Sequence, residues 1–288
     1  MMTRPHLQAG FIDVLFVLAA GGLVANTLGI GFLNSPNWPT GGDSASHLLY
    51  AWLYADSLLL SGDVLPWVPE VFGGLPFLSY YFPLPFIVIA LLSKLIGIAP
   101  AFKWGAFLAT MLLPGAIFVA SRRWLGMSWT AALFGGMGAL AFLLHEQNSI
   151  WGGNLLSALA GEFAYSYGLC LAALTMIAWL RAVKTGRGWI VPALLEAATG
   201  FSHGFALLLV GFSTAFLLFE GREFRGTLGL LARGHLLAFL LLGGWLWPML
   251  EMHGLTIPND AAFPLQDWRD LLPATLWPVA AGGLAGLA

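Results

Sequence analysis

Between Asn34 and Phe82 lie Asp43, His47, Asp56, Asp63 and Glu70 with no Lys or Arg among them, in a chain of which only 9% is charged. Carboxylates without basic partners accept, hold and return protons, so this stretch is expected to carry general acid–base chemistry. Asp43 is the leading base and Glu70 the second. His47, one helical turn after Asp43, is placed to orient a group held there or to protonate it. A second polar set runs through His145, Glu146, Gln147, Asn148 and Asn154 to Glu162, which heads an apolar run. An ionisable residue at the edge of a membrane helix usually faces a polar cavity, which makes Glu162 a candidate too. Glu196 and His203 are seven residues apart, a spacing that puts them on one face of a continuous helix, in an interior pair or a cavity. Each residue also has a plain structural use. Asp43 can cap a helix, Asp63 can make a turn, Asp56 can lie on a solvated face, and Glu162 can complement a helix N-terminus.

The elements that must position these groups are membrane helices. Hydrophobic residues make up 59% of the 288, and mean hydropathy is +0.82. Twelve basic and fourteen acidic residues cannot cover a soluble globule of this size. A net charge of −2 and a pI near 6.3 leave no nucleic-acid footprint. Cys170 is the one cysteine and reads as a small buried hydrophobe, and the six histidines show no zinc-site spacing.

Apolar runs predict spans over 11–33, 83–98, 102–120, 127–144, 162–180, 189–219 and 231–250. A further run begins at Leu271, so the chain reads as the front of a longer protein. The first run is long for a signal peptide and has no clear cleavage site, so it is expected to be retained. Basic residues collect at Arg122 and Arg123, at Arg181, Lys184 and Arg187, and at Arg222 and Arg225. The excess of positive charge on cytoplasmic loops puts these clusters and the N-terminus inside, and the 34–82 loop, His145–Gly161 and Glu251–Asp270 outside. Pro83–Ile98 then reads as interfacial or re-entrant. The 31 residues from Trp189 to Phe219 would make about 46 Å of straight helix. That is long for one crossing and short for two, so a break is expected at Gly200–Gly204. The alternative makes Pro83–Ala120 a hairpin and moves His145–Gly161 inside.

Within the loop, Asp43 should cap a helix from Ser44 to about Ser61, with His47, Tyr50 or Ala51, and Tyr54 on one face. Leu48, Leu49, Trp52 and Leu53 form its apolar flank, which suits a helix lying at the bilayer surface. Gly62-Asp63 ends it. Pro66, Pro69, Gly73, Gly74 and Pro76 hold the following chain in a turned path, expected to line a cavity, and Tyr80, Tyr81 and Phe82 return it to the membrane.

The runs Gly41-Gly42-Asp43-Ser44-Ala45-Ser46-His47, Gly62-Asp63-Val64-Leu65-Pro66-Trp67 and Val71-Phe72-Gly73-Gly74-Leu75-Pro76 resemble the front of large bacterial and archaeal membrane proteins. These are the 6-pyruvoyl-tetrahydropterin-synthase-related membrane domains, which are similar to GT-C glycosyltransferases. Gly161-Glu162-Phe163-Ala164 and Phe201-Ser202-His203-Gly204 fit the same resemblance, which covers most of the chain from Gly10 to about Leu250. It implies an all-α polytopic membrane protein, a GT-C-like bundle with a long first extracytoplasmic loop, in the bacterial cytoplasmic (inner) membrane. Residues 1–288 would form one transmembrane domain, with residues 34–82 as the loop.

The activity implied is transfer of a sugar from a polyprenyl-phosphate donor to an extracytoplasmic glycan, lipid or protein acceptor. Asp43 would activate the acceptor hydroxyl or coordinate a divalent ion. No compact Asp-x-Asp pair accompanies it, which leaves metal dependence open. Such transfer needs a base, stabilisation of the leaving phosphate and a side entrance for the lipid. Asp43, His47, Glu70 and Glu162 are the catalytic candidates, and Trp67, Tyr80, Tyr81 and His203 the substrate-binding ones. The outer loops offer few cations besides Arg269 for the phosphate. Two other readings stand beside this one: a lipid or polysaccharide transporter, and a non-enzymatic subunit organising protein partners in a larger complex.

Overall fold

The computed structural model describes residues 4–71, 73–146, 152–220 and 223–255, with positions 277 and 281. Phe72, Gln147, Asn148, Arg222, Arg269 and most of the run after Leu271, all invoked above, lie outside the described residues. The chain is mostly helical: α1 (Arg4–Leu28), α2 (Ile30–Asn34), α3 (Ser44–Ser61), α4 (Pro83–Ile96), α5 (Ile98–Trp124), α6 (Trp129–Leu143), α7 (Leu155–Leu159), α8 (Phe163–Thr185), α9 (Ile190–Ser202), α10 (Gly204–Phe216) and α11 (Phe224–Glu251). Two short strands, β1 (Trp67–Val68) and β2 (Leu75–Pro76), pair antiparallel with Trp67 opposite Pro76. Two compact units are distinguished, Met1–Met249 and Leu250–Ala288. In the second, the described part is the end of α11 and a 3-10 turn, His253–Leu255.

Among the described residues, Gly10–Leu28, α5, α8 and α11 are long and apolar enough to cross a membrane. Their outward faces are greasy: Leu18, Leu112, Leu240 and Trp247 are all exposed. Such surface suits lipid, where there is no water to hide from and the constraint is instead to satisfy every backbone polar group. The expected first span is interrupted at Gly29, and α2 forms a separate turn of helix. α5 runs beyond the expected 102–120 span at both ends and contains Lys103. That lysine is fully buried, yet its ammonium donates to Ser35 O (2.6 Å), Ser35 Oγ (2.7 Å) and Asn37 O (3.1 Å), so its donors are satisfied. The same bonds tie the start of the 34–82 loop to α5.

α5 fixes the direction of the bundle. At its far end Arg122 and Arg123 lie 3.2 and 3.0 Å from Asp13 of α1, so α1 and α5 run antiparallel. At its near end the Phe102 ring packs on Phe163, and Gly105 O accepts from Tyr167 Oη (2.7 Å), so α8 runs parallel to it. The loop and the start of α8 therefore share one end, and Arg122 and Arg123 mark the other.

α4 has 14 residues, about 21 Å of helix, against the roughly 30 Å of a bilayer's hydrocarbon. It folds back along α5 through a turn at Gly97, and Ile89 packs against Gly105. Leu84 and Val88 share a cavity wall with Leu108 and Leu112, so α4 starts beside the middle of α5. α4 and α5 form a helical hairpin. The non-helical segment before it, Leu78–Phe82, thus enters the bundle, where its carbonyls need donors. Trp245 Nε1 of α11 supplies them, donating to Leu78 O (2.9 Å) and Tyr81 O (3.2 Å).

Candidate functional site

Asp43 occupies the N-cap position of α3, as expected, but its carboxylate makes no cap hydrogen bond. The backbone holds the residue in place: Asp43 N donates to Ala160 O (2.8 Å), and Asp43 O accepts from His47 N and Ser46 Oγ (both 2.9 Å). Ser44 Oγ adds a bond to Leu159 O (3.2 Å). The carboxylate is consequently spared from structural duty and is exposed. Two glycines make the seat. A Cβ on Gly42 would collide with the Ala160 carbonyl. A Cβ on Gly161 would lie 2.9 Å from Asp43 C, Asp43 Cβ and Ser44 N, at a φ of +108° that side chains rarely adopt.

The inner face of α3 differs from the one expected at a bilayer surface. His47, Leu48, Ala51, Tyr54 and Ala55 are buried, while Leu49 and Trp52 are exposed. The physical reason is aromatic packing from the return path: Phe77 meets Tyr50 at 5.0 Å and Tyr54 at 6.1 Å, and Phe86 of α4 meets His47 at 6.0 Å. Gly62 ends the helix, donating its amide to Leu58 O, as expected.

His47 Nδ1 lies 3.1 Å from Gly161 O. A carbonyl can only accept, so Nδ1 carries the hydrogen and Nε2 presents a lone pair. Burial lowers the pKa of His47, partly opposed by the Gly161 hydrogen bond and the charge of Asp43. The folded imidazole thus resists protonation relative to the unfolded chain, whose histidines titrate near 6.5. The associated stability is present above that value and is lost as pH falls through the lower folded value. The thermal midpoint should therefore drop as pH is lowered from 6.5. A His47→Gln variant should lose this part of the slope, which thermal melts at stepped pH would check.

Glu162 stands at the N-cap of α8, and its amide bonds to Ser157 O. Burial raises its pKa first and the Asp43 charge second, so the two carboxylates sense each other. Tyr81 joins them, 5.1 Å from His47 between ring centroids. Its hydroxyl is held protonated by burial, then by Glu162, then by Asp43. Asp43 and His47 at the start of α3, Tyr81 before α4 and Glu162 before α8 come from three separate stretches of chain and meet at the end of the bundle away from Arg122 and Arg123.

The remaining candidates lie elsewhere. Glu70 and Trp67 are exposed on the β1–β2 hairpin, and among the described residues no ion pair or hydrogen bond links either to Asp43. Tyr80 and His203 line a cavity of ≈ 720 Å³ together with Phe82, Glu196, His235 and Trp245. His203 sits at the expected break, its extended backbone (φ −168°, ψ 129°) separating α9 from α10. Its ring lies 4.5 Å from Phe82 and 4.9 Å from Tyr165, and ring contact of Phe82 with Tyr81 (5.2 Å) connects this cavity to the carboxylate cluster.

Glu196 and His203 share that cavity without bonding each other. The partner of Glu196 is His235 of α11, Nδ1 to Oε1 at 2.6 Å, and Trp179 Nε1 donates to its other oxygen (3.0 Å). Thr214 Oγ1 lies 3.1 Å from His235 Nε2 and completes the set. The sequence reading missed His235, although an ionisable residue inside an apolar run was the signal that singled out Glu196. Among the described residues no three His, Cys, Asp or Glu side chains are grouped as a metal would need.

The profile of the 6-pyruvoyl-tetrahydropterin synthase related domain, a membrane protein family, matches residues 78–284. The chain belongs to this family. Within the 6-pyruvoyl-tetrahydropterin synthase related domain lie the short helix α4, Glu162, the His203 break and the Glu196–His235 pair, whereas Asp43 and His47 precede the matched region. No curated protein and no solved structure gives a match.

Proposed function

We propose that this membrane protein is a GT-C-like transferase that moves a sugar from a polyprenyl-phosphate donor to an extracytoplasmic acceptor. The observation that carries the reading is the meeting of Asp43 and Glu162 beside His47 and Tyr81. Two carboxylates in one place, one exposed and the other with its pKa raised by burial and by its neighbour, supply the unequal pair that acid–base chemistry at neutral pH requires.

In this reading the acceptor oxygen attacks the anomeric carbon and the bond from that carbon to the donor phosphate breaks. Asp43 takes the hydroxyl proton. Glu162, which keeps its proton to higher pH than an ordinary glutamate, and the protonated Tyr81 hydroxyl donate to the leaving phosphate. His47, neutral and bonded through Nδ1, orients the site and does not serve as the acid. The cavity behind Tyr80, Phe82 and His203 is apolar enough to take prenyl units. Arg122, Arg123, Arg181 and Lys184 belong to the opposite ends of α5 and α8, so the positive-inside rule favours Asp43 facing outward, with the N-terminus cytoplasmic in a bacterial inner membrane. The test is release or transfer of labelled sugar from a polyprenyl-phosphate sugar by the chain reconstituted in liposomes. Catalysed turnover is the expected result, and an unreactive donor across a panel of common sugars would remove the reading.

One observation favours transport instead. A helix broken at His203 beside the buried Glu196–His235 pair has the form of a transporter's midplane site. Liposome uptake of a labelled lipid-linked glycan, unaffected by Asp43→Asn but reduced by Glu196→Gln, would support that alternative.

A further inference from the structure

At the basic end of the bundle, α8, the turn after it and α9 enclose a second cavity of ≈ 760 Å³ against Trp124 of α5, with Arg181 and Arg187 in its lining and no acidic residue. We infer that this cavity binds the phosphate headgroup of an anionic phospholipid.

The charge around the cavity is uncompensated. Asp13 serves Arg122 and Arg123, but among the described residues no ion pair involves Arg181 or Arg187. The neighbouring cavity that contains Lys184 and Arg233 differs, because Glu223 lies in its wall. Two unpaired guanidinium groups present forked donors that match phosphate oxygens.

The backbone that carries the two arginines is also tied down. Arg187 N donates to Ala182 O (3.2 Å), and Thr185 Oγ1 donates to Arg181 O (2.8 Å), with Arg187 O (3.3 Å) within reach of the same hydrogen. This locks the turn that carries them, so less ordering is required when an anion arrives.

The lining chooses a lipid over a free phosphate ester. Val191 and Pro192 make one wall apolar, and the exposed Ile190, Val191 and Leu194 continue it along α9 as a greasy strip for an acyl chain. Trp124, part apolar and part polar, suits the zone where headgroup meets hydrocarbon. Basic pockets between membrane helices are recurrent sites for acidic headgroups.

The test is native mass spectrometry of the full chain in neutral detergent, titrated separately with phosphatidylglycerol, phosphatidylcholine and inorganic phosphate. Phosphatidylglycerol should bind saturably, and the Arg181→Gln/Arg187→Gln variant should bind it about 30-fold more weakly, the loss expected for two membrane-surface cations. Arg225→Gln, outside the cavity, should lose no more than about fivefold for its single charge. Arg181→Lys/Arg187→Lys, which keeps the charge but not the forked donors, should bind more weakly than the parent and more tightly than the double Gln variant, which separates loss of charge from loss of fold. Equal binding of phosphatidylcholine, or a double Gln variant no weaker than Arg225→Gln, would overturn the site. Full competition by inorganic phosphate alone would reassign it to a free phosphate and overturn the lipid.

Discussion

Asp43→Asn should lower sugar transfer by about 10²- to 10⁴-fold, the usual contribution of a positioned general base, while leaving the melting temperature nearly unchanged. The separation is expected because the fold uses the backbone of Asp43 and not its carboxylate. Its amide and carbonyl make the bonds to Ala160 and His47, and the side chain makes no cap. Asparagine, itself a good N-cap residue, keeps those backbone bonds and removes the proton acceptor. Glu70→Gln supplies the contrast. Its exposed place on the hairpin predicts transfer within about twofold of the parent, because a surface change remote from the site moves little. Comparable losses in both variants, or full activity in Asp43→Asn, would remove Asp43 as the base.

Glu162 adds a pH dependence to the same experiment. Its folded pKa is raised, so the folded state holds this proton more tightly than the unfolded chain, in which such a group titrates near 4.5. The stabilising contribution is fully present below that value and is lost as pH rises through the folded one. The donor role follows the same course, so transfer should decline on the alkaline side as Glu162 ionises. Glu162→Gln should flatten that limb, and rates at stepped pH would show whether it does.

Gly161→Ala should be among the most damaging small substitutions in the chain. The new methyl would stand 2.9 Å from Asp43 C, Asp43 Cβ and Ser44 N, and two of these are backbone atoms that cannot rotate away. The φ of +108° adds strain of about 1–3 kcal/mol, and the clash a further 1–3 kcal/mol. The Gly161 carbonyl also orients His47, so any shift that relieves the clash moves both His47 and Asp43. Thermal melts should drop markedly and transfer should fall with them. Gly211→Ala is the matched control. It lies in α10 with open space around it and should be neutral or stabilising by up to about 1 kcal/mol. Equal melting of the two variants would show that the seat on Gly161 does not hold the site together.

Much of this molecule is legible in its residues because bilayer solvation is a strong local constraint. Apolar length marked out α1, α5, α8 and α11, and the helix of the loop, its end at Gly62 and the break at His203 followed from short-range rules for glycine and caps. Local rules did less well where distant chain supplied the partners. Lys103 is a charge inside an apolar helix, and it is three acceptors of the distant loop that satisfy it there. Asp43 looked like a cap, but Ala160, more than a hundred residues later, anchors it instead. His47 and Tyr54 share one face of α3 as their spacing requires, but the aromatic return path through Phe77 and Phe86, which buries that face, could not be read from the helix.

The candidate site divides along the same line. Residue type and the loop's lack of basic groups identified Asp43 and His47 as groups able to do chemistry, and a charge at the head of an apolar run identified Glu162, since proton affinity belongs to the side chain itself. Only the tertiary structure decided that Asp43, His47 and Glu162 meet around Tyr81 while Glu70 and Trp67 stay outside, and that Glu196 bonds His235. Spacing along a chain determines neighbours within a helix, whereas proximity between helices depends on packing across the whole bundle, which no local pattern encodes.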